Sequence, residues 1–279
     1  MGDSGTPIED RKFGPARPLR TTCLEPNNCT NVLIQGITIR GSHFWQIHPL
    51  LCDNLTIDGV ITEGRESQTD GCDPESCSNV VIKNCTLGAG DDCIAIKSGR
   101  NPDSQRVHKP SENIVIMNSR FHGSRGMIAC GSEQTEGIQH VYAYNLSTFD
   151  NIPDTRQGTG IRNAFYFKTN AKRGGYIKDI HLDKITGKFN GAVVEGLLDY
   201  SGNGLETGTN YPIVQGIYLS HITDTEATTV LDLTGLENDP IKNLIISDST
   251  FTNIAETDTV TNAEGVVYKN TTINGLPAN

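Results

Sequence analysis

Four carboxylates stand in two short phrases, Thr69-Asp70-Gly71-Cys72-Asp73-Pro74 and Gly90-Asp91-Asp92-Cys93. Asp70 precedes Asp91 by 21 residues. In a chain that winds with that period, the acids of one phrase lie over those of the other. Carboxyl groups forced together do not all ionise at once, so their pKa values split, as general acid and base chemistry needs. Inverting glycoside hydrolysis is one such chemistry. One carboxylic acid protonates the leaving oxygen while a second carboxylate, roughly 6.5–9.5 Å away, activates water. Adjacent coils of a β-helix lie about 4.8 Å apart, so side chains one coil apart with a lateral offset span that gap. Successive strand residues point to opposite faces, so Asp91 and Asp92 both reach solvent only if the backbone bends there. Gly88 and Gly90 permit such a bulge. The same acids would also suit a calcium cluster or a solvated acidic turn, and composition alone weighs these readings evenly.

The elements that must position these acids repeat along the chain. Asn31-Val-Leu-Ile-Gln-Gly-Ile-Thr-Ile39 is followed by similar phrases opening at Asn54, Asn79 and Asn113. Weaker echoes run from Gln139, Tyr176, Ile213, Asn243 and Val266. Each is a short alternating run rich in Val, Ile and Thr, which reads as a strand. Gly, Asn, Asp and Ser between them supply turns. A period in the low twenties with short strands is a solenoid signature. Leu is too scarce at fixed offsets for a horseshoe, and the Asn residues precede strands instead of sitting in tight hairpins. The expected fold is all-β, a single-domain right-handed parallel β-helix over residues 31–279, with stacked Asn residues at one turn. Residues 1–30 form an N-terminal segment, with Arg11 to Cys23 a short cap or the whole a truncated edge. The coil from Asn79 to Asn113 is 34 residues long. Its excess, Ser98 to Pro110, is expected to wall a groove, with a second wall from Asp150 to Arg162.

The net charge is -10 and the pI about 5.1. No basic stripe is offered to nucleic acid, and no apolar run is long enough for a membrane-spanning helix. All eight cysteines lie between Cys23 and Cys130. Cys29, Cys52 and Cys77 recur at nearly the repeat period, which suits a column of buried thiols better than bridges. Neither Cys72-x4-Cys77 nor Cys85-x7-Cys93 has a zinc-ligand spacing with nearby histidines, so no metal is expected.

The run from Asn31 to Arg100 resembles the polygalacturonase-type glycoside hydrolases of family 28. Gln68-Thr69-Asp70-Gly71-Cys72-Asp73 is similar to that family's Asn-Thr-Asp phrase, and Gly90-Asp91-Asp92-Cys93 matches its Gly-Asp-Asp-Cys phrase. Ser42-His43-Phe44-Trp45-Gln46-Ile47-His48-Pro49, Ile94 to Arg100, Gly131-Ser132-Glu133 and Lys168-Thr169-Asn170 extend the likeness. The resemblance implies inverting hydrolysis of α-linked galacturonic acid in pectin-type polysaccharide, without a cofactor. It implies Asp91 as general acid, Asp70 and Asp92 as the pair that activates water, and Lys168 as a grip on the substrate carboxylate. It also implies a monomer acting on polysaccharide or oligosaccharide, outside the cell or in the periplasm, although Met1 to Gly5 shows no leader pattern.

Two positions depart from the family phrases. Arg125 stands where Gly-His-Gly has its His, and Tyr166 where Arg-Ile-Lys has its Arg. One cation has exchanged places, and an Arg offers bidentate carboxylate contact from either position. The expected substrate-binding residues are therefore Asp73, Arg100, Arg125, Glu133, Tyr166 and Lys168. His122 and Arg162 lie close enough in sequence to substitute. Alternation assigns Phe44 or Trp45 to the core, and His48 before Pro49 reads as a turn residue. Lys172-Arg173-Gly174-Gly175 is either a groove contact or a solvated loop. The alternatives are a pectate-lyase-like β-eliminase using the acids for calcium and Arg125 as base, and a non-catalytic glycan-binding β-helix.

Overall fold

A computed structural model describes residues 21–123, 125–149, 160–201 and 208–278, with only the backbone at 101–103. Arg11 to Arg20 of the expected cap and Asp150 to Thr159 of the expected second wall lie outside the described residues.

The described chain is a right-handed parallel β-helix. Its registers carry each inward residue onto the next coil. Ile34 pairs with Ile57, Ile57 with Ile82, Ile82 with Ile116, and the row continues through Ala143, Leu182, Leu219 and Ile246. All of these are buried. Each fully buried Ile or Leu contributes about 1.5–3 kcal/mol relative to exposure, so the row is a main source of stability. The ladder is already present at Leu24 and Asn27, which bridge to Ile47 and Leu50, ahead of the boundary expected at residue 31. On that first coil Leu33 and Ile37 are exposed.

The recurring Asn has a conformational cause. Asn31, Asn54, Asn79, Asn113 and Asn243 all adopt φ of 55–56°. Only Gly, Asn and Asp enter this left-handed region at low cost, and each of these Asn residues bends its strand near the start. Asn54 Nδ2 donates to Asn31 Oδ1 at 2.6 Å and Asn113 Nδ2 to Asn79 Oδ1 at 3.3 Å. Asn79 instead donates to Asp53 Oδ1 at 2.9 Å, so the stack is interrupted there. Further along, His140, Asp179 and Gly216 hold the same position.

A second sheet forms the face that carries the site. It runs through Ile94–Ile96, Gly126–Gly131, Asn163–Lys168, Ala192–Leu197, Thr229–Thr234 and Thr259–Thr261. Ile94, Ile128, Phe165, Val194 and Leu231 stack inward. Ala95, Ala129, Tyr166, Glu195 and Asp232 stack outward. The insertion after Ser98 contains a helix, Asn101–Val107, projecting from this side.

All eight cysteines are free. Cys52 N–H donates to Cys77 Sγ at 3.4 Å, and Cys77 N–H to Ser111 Oγ at 3.2 Å. The thiol column thus serves as a ladder of weak acceptors continued by a hydroxyl. Burial pushes the Cys77 thiol up to about 12, which keeps it protonated and unreactive. We expect the denatured protein to titrate as eight thiols, and reductant to leave its thermal midpoint unchanged. A midpoint that falls with dithiothreitol contradicts the free-thiol column.

Candidate active site

The acids meet because two coils are stitched at close range. Cys72 bridges Ile94 and Glu75 bridges Lys97. Gly71 N–H donates to Asp92 O at 3.0 Å. Gly90 N–H donates to Thr69 O at 3.2 Å and to Thr69 Oγ1 at 3.1 Å. This register sets Asp70 beside Asp92, one residue beyond the 21-residue alignment with Asp91. Both glycines are required by the approach. A Cβ on Gly71 would lie 2.4 Å from Cys93 O, and one on Gly90 only 2.1 Å from Glu66 O.

Asp91 and Asp92 separate as strand alternation dictates. Asp92 is buried at 1% exposure. Its Oδ2 accepts from Lys168 Nζ at 2.8 Å and its Oδ1 from Gly126 N–H at 3.0 Å. The Asp91 side chain keeps 26% exposure and lies 3.6 Å from Arg125 Nε, whose side chain is 52% exposed. Alternation thus prevails over the bulge that Gly88 and Gly90 would permit: Asp91 opens outward and Asp92 is anchored beneath. Burial raises the Asp91 pKa, and the Asp92 charge adds to it against the pull of Lys168 and Arg125. Asp70 is pushed well above the carboxylate range by burial, then by Asp73 and Asp91.

Lys97 stands behind this trio. It is buried, with Nζ 3.2 Å from Glu133 Oε2, 3.7 Å from Asp73 Oδ2 and 3.9 Å from Asp70 Oδ2. Trp45 covers it, the ammonium lying 4.5 Å from the ring centroid. Burial pushes Asp73 up to about 7 against Lys97 and His48. Burial would also raise Glu133, but Lys97 and Arg173 outweigh it and hold that carboxyl at about 2. The room for these groups comes from small side chains on the floor, Ala95 and Ala129, packed with Tyr166.

A cleft of about 510 Å³ adjoins this network. Phe44, Trp45, Gln68, Glu75, Arg100 and Glu133 are among its walls. Ser104, Arg106 and Val107 of the inserted helix also line it, so the Ser98 to Pro110 insertion does wall a groove. Among the described residues, no group of three or more His, Cys, Asp or Glu is arranged to hold a metal ion.

Asp70, Asp91, Asp92, Arg125, Lys168, Arg100 and Glu133 are brought together. Arg100 Nη1 lies 3.6 Å from Glu133 Oε1. Two expected substrate-binding residues are corrected. Asp73 has no exposed surface and instead faces Lys97. Tyr166 is 2% exposed, with burial pushing its phenol up to about 12. It underlies Lys168, whose Nζ is 4.6 Å from its ring centroid.

Trp45 is likewise half-buried in the cleft wall, not core. His48 is no simple turn residue: it pairs with Glu75 at 2.9 Å and Glu25 at 3.2 Å. His122 packs on Phe149 and burial holds it down at about 4, so it is a neutral packing group. Arg162 pairs with Glu195 Oε2 at 3.1 Å. Arg173 is buried and donates to Ser132 O, while Lys172 beside it is exposed. Sequence reasoning missed Lys97, although a Lys ending the apolar run Ile94-Ala-Ile is a charge in a strand that must find partners.

Comparison with known proteins gives a consistent pattern. The family model for glycosyl hydrolases family 28 matches residues 16–272. A probable polygalacturonase of Vitis vinifera is 29% identical over 266 residues, covering 91% of this chain and 51% of that protein. Endopolygalacturonase B of Emericella nidulans is 30% identical over 229 residues, covering 80% of this chain and 56% of its own. The crystal structure of a hyperthermoactive exopolygalacturonase from Thermotoga maritima superposes with a TM-score of 0.86 at 30% identity. That match covers 98% of this chain and 59% of the other. The chain spans about half the length of the curated relative from Vitis.

The buried Asp73 carboxyl generates a stability test. Its folded-state pKa, about 7, lies above its ordinary value of 3.8. Its contribution is thus fully present below about pH 4 and lost as pH rises through 7. Urea denaturation should show the parent losing stability relative to Asp73→Asn between pH 4 and 8, on the order of a few kcal/mol. A difference that is flat with pH contradicts this.

Proposed function

The chain belongs to glycosyl hydrolases family 28, and on that premise we propose that it hydrolyses α-linkages of galacturonic acid in pectin-type polysaccharide with inversion. The observation that carries this reading is the position of Asp91. It is the most exposed acid of the trio, the neighbouring Asp92 is anchored beneath, and it has a half-exposed Arg125 at 3.6 Å.

In this reading the Asp91 carboxyl, raised by burial and by Asp92, gives its proton to the glycosidic oxygen as the bond to the anomeric carbon breaks. Water attacks that carbon from the opposite side. Asp70 and Asp92 orient the water and take its proton, so one proton leaves Asp91 and one enters the pair. Lys168 holds Asp92 in place through its 2.8 Å hydrogen bond. Arg125 and Lys168 meet the uronate carboxylate, with Arg125 presenting the more exposed cation. Arg100, 44% exposed at the cleft rim, is suited to a neighbouring uronate. No cofactor is required by these steps. Pectin lies in cell walls, so action is proposed outside the cell or in the periplasm, by a monomer. The β-elimination alternative is not favoured, because lysine ammonium groups 2.8–3.9 Å from the acids already stand where a calcium ion would be needed.

Asp91→Asn should abolish release of reducing ends from polygalacturonan while leaving circular dichroism and the thermal midpoint unchanged. Proton NMR of the first product should show the β anomer. Retained turnover in this variant rejects the assignment of Asp91. Arg125→Ala should raise KM for polygalacturonan about tenfold or more, the loss of roughly 1.4 kcal/mol, with a smaller change in kcat. An unchanged KM removes Arg125 from substrate binding.

A further inference from the structure

Lys97 belongs to a row of the floor sheet with an internal pattern. It follows Ile96, whose partner is Cys130, and Gly131 after Cys130 is the partner of Lys168. The two lysines thus share one row, two coils apart, with a glycine between them. Lys168 serves Asp92. Lys97 faces three carboxyl groups drawn from two other segments, Asp70 and Asp73 from the preceding coil and Glu133 from the next.

We propose that Lys97 is a positioning residue for the hydrolysis: its buried ammonium holds the Asp70–Asp73 pair in register and keeps Asp70 able to accept a proton from water.

Three observations support it. First, both oxygens of Asp73 are fully buried and, apart from the adjacent Asp70 carboxyl, have no hydrogen-bond partner among the described residues. A buried carboxyl in that condition needs a proton or a facing cation, and Lys97 at 3.7 Å is the ammonium present. Second, Trp45 covers Lys97 and shields it from water. A shielded charge acts on its neighbours far more strongly than a solvated one. Third, the three carboxyls respond unequally. Glu133, with the shortest contact and with Arg173 nearby, is held at about 2, while burial keeps Asp70 and Asp73 high. Lys97 is therefore opposed by burial at the pair, and the balance between them sets whether Asp70 carries charge.

The other charged groups around the pair are accounted for. Asp91 and Asp92 on the next coil push the pair upward. His48 on the preceding coil pulls Asp73 down, with Glu75 as its own partner. Lys168 is engaged by Asp92, and Arg100 by Glu133. Loss of Lys97 leaves no ammonium within 4 Å of Asp70 or Asp73 among the contacts described.

The catalytic part of this inference rests on the hydrolase reading, so the experiment has two arms. In the first, the protein is labelled with carboxyl-¹³C aspartate, Asp70→Asn and Asp73→Asn assign the resonances, and the parent is titrated beside Lys97→Met. The Asp70 and Asp73 midpoints should rise by about one pH unit or more, a tenfold change in protonation, and Lys97→Arg should restore them. In the second arm, the acid limb of kcat/KM on polygalacturonan should move to higher pH in Lys97→Met by a similar amount. Activity relative to the parent should then recover as pH is raised. A second variant, Glu133→Gln, releases Lys97 from its nearest competitor and should move the same midpoints downward, which keeps the test open if Lys97→Met does not fold. Unchanged midpoints, or a kcat loss equal at all pH values, overturn the proposal. If the parent releases no reducing ends, the hydrolase reading fails while the titration arm still decides the role of Lys97.

Discussion

Charge held out of water is the constraint around which this molecule is arranged. Asp70, Asp73, Asp92 and Glu133 are all screened from solvent or nearly so, and a solitary carboxylate in such a place is costly. Lys97 and Lys168 offset that cost from one row of the floor sheet, each reaching toward acids on a different coil. The result is graded: Glu133 is firmly ionised, Asp92 is anchored by two donors, and burial holds Asp70 and Asp73 above the ordinary carboxylate range. Such a spread is what separates a proton donor from a proton acceptor within a few ångströms.

The grading depends on space that the backbone leaves free. Ala95 and Ala129 keep the floor shallow where longer side chains would occupy the volume of the ion network. Gly126 serves the same end, since a Cβ there would lie 3.1 Å from Asp92 Oδ1. Below the floor, Ile94, Ile128, Phe165 and Val194 fill the core and fix the height of the sheet. Packing, in this fold, sets electrostatics: the registers decide which acid stands beside which lysine, and small residues decide how close they come.

The coil architecture was legible because its signals are local. Asn in the left-handed region and alternating Ile and Val each report on their own few residues, so the repeat is readable without knowing what lies across it. The acid phrases were equally readable as a cluster, and the long insertion after Ser98 as a groove wall. What could not be read depends on partners far away in sequence. Asp92 meets Lys168 across 76 residues, and Asp73 looks like a surface acid until Lys97 is placed against it. Tyr166 was expected to meet substrate, yet the floor buries its ring. Trp45 and Phe44 were ambiguous because both are half-covered, a state that two-sided alternation does not describe.

The ladder tolerates coils of unequal length. Leu55 finds Val80 25 residues on, while Val141 finds Ile180 only after 39, yet the rows stay aligned. Form and specialisation are thereby uncoupled. A new loop grafted after Ser98 or at another bend would alter the contour of the trough without touching the proton-handling centre, so one rigid spool can present many differently shaped mouths to differently decorated chains.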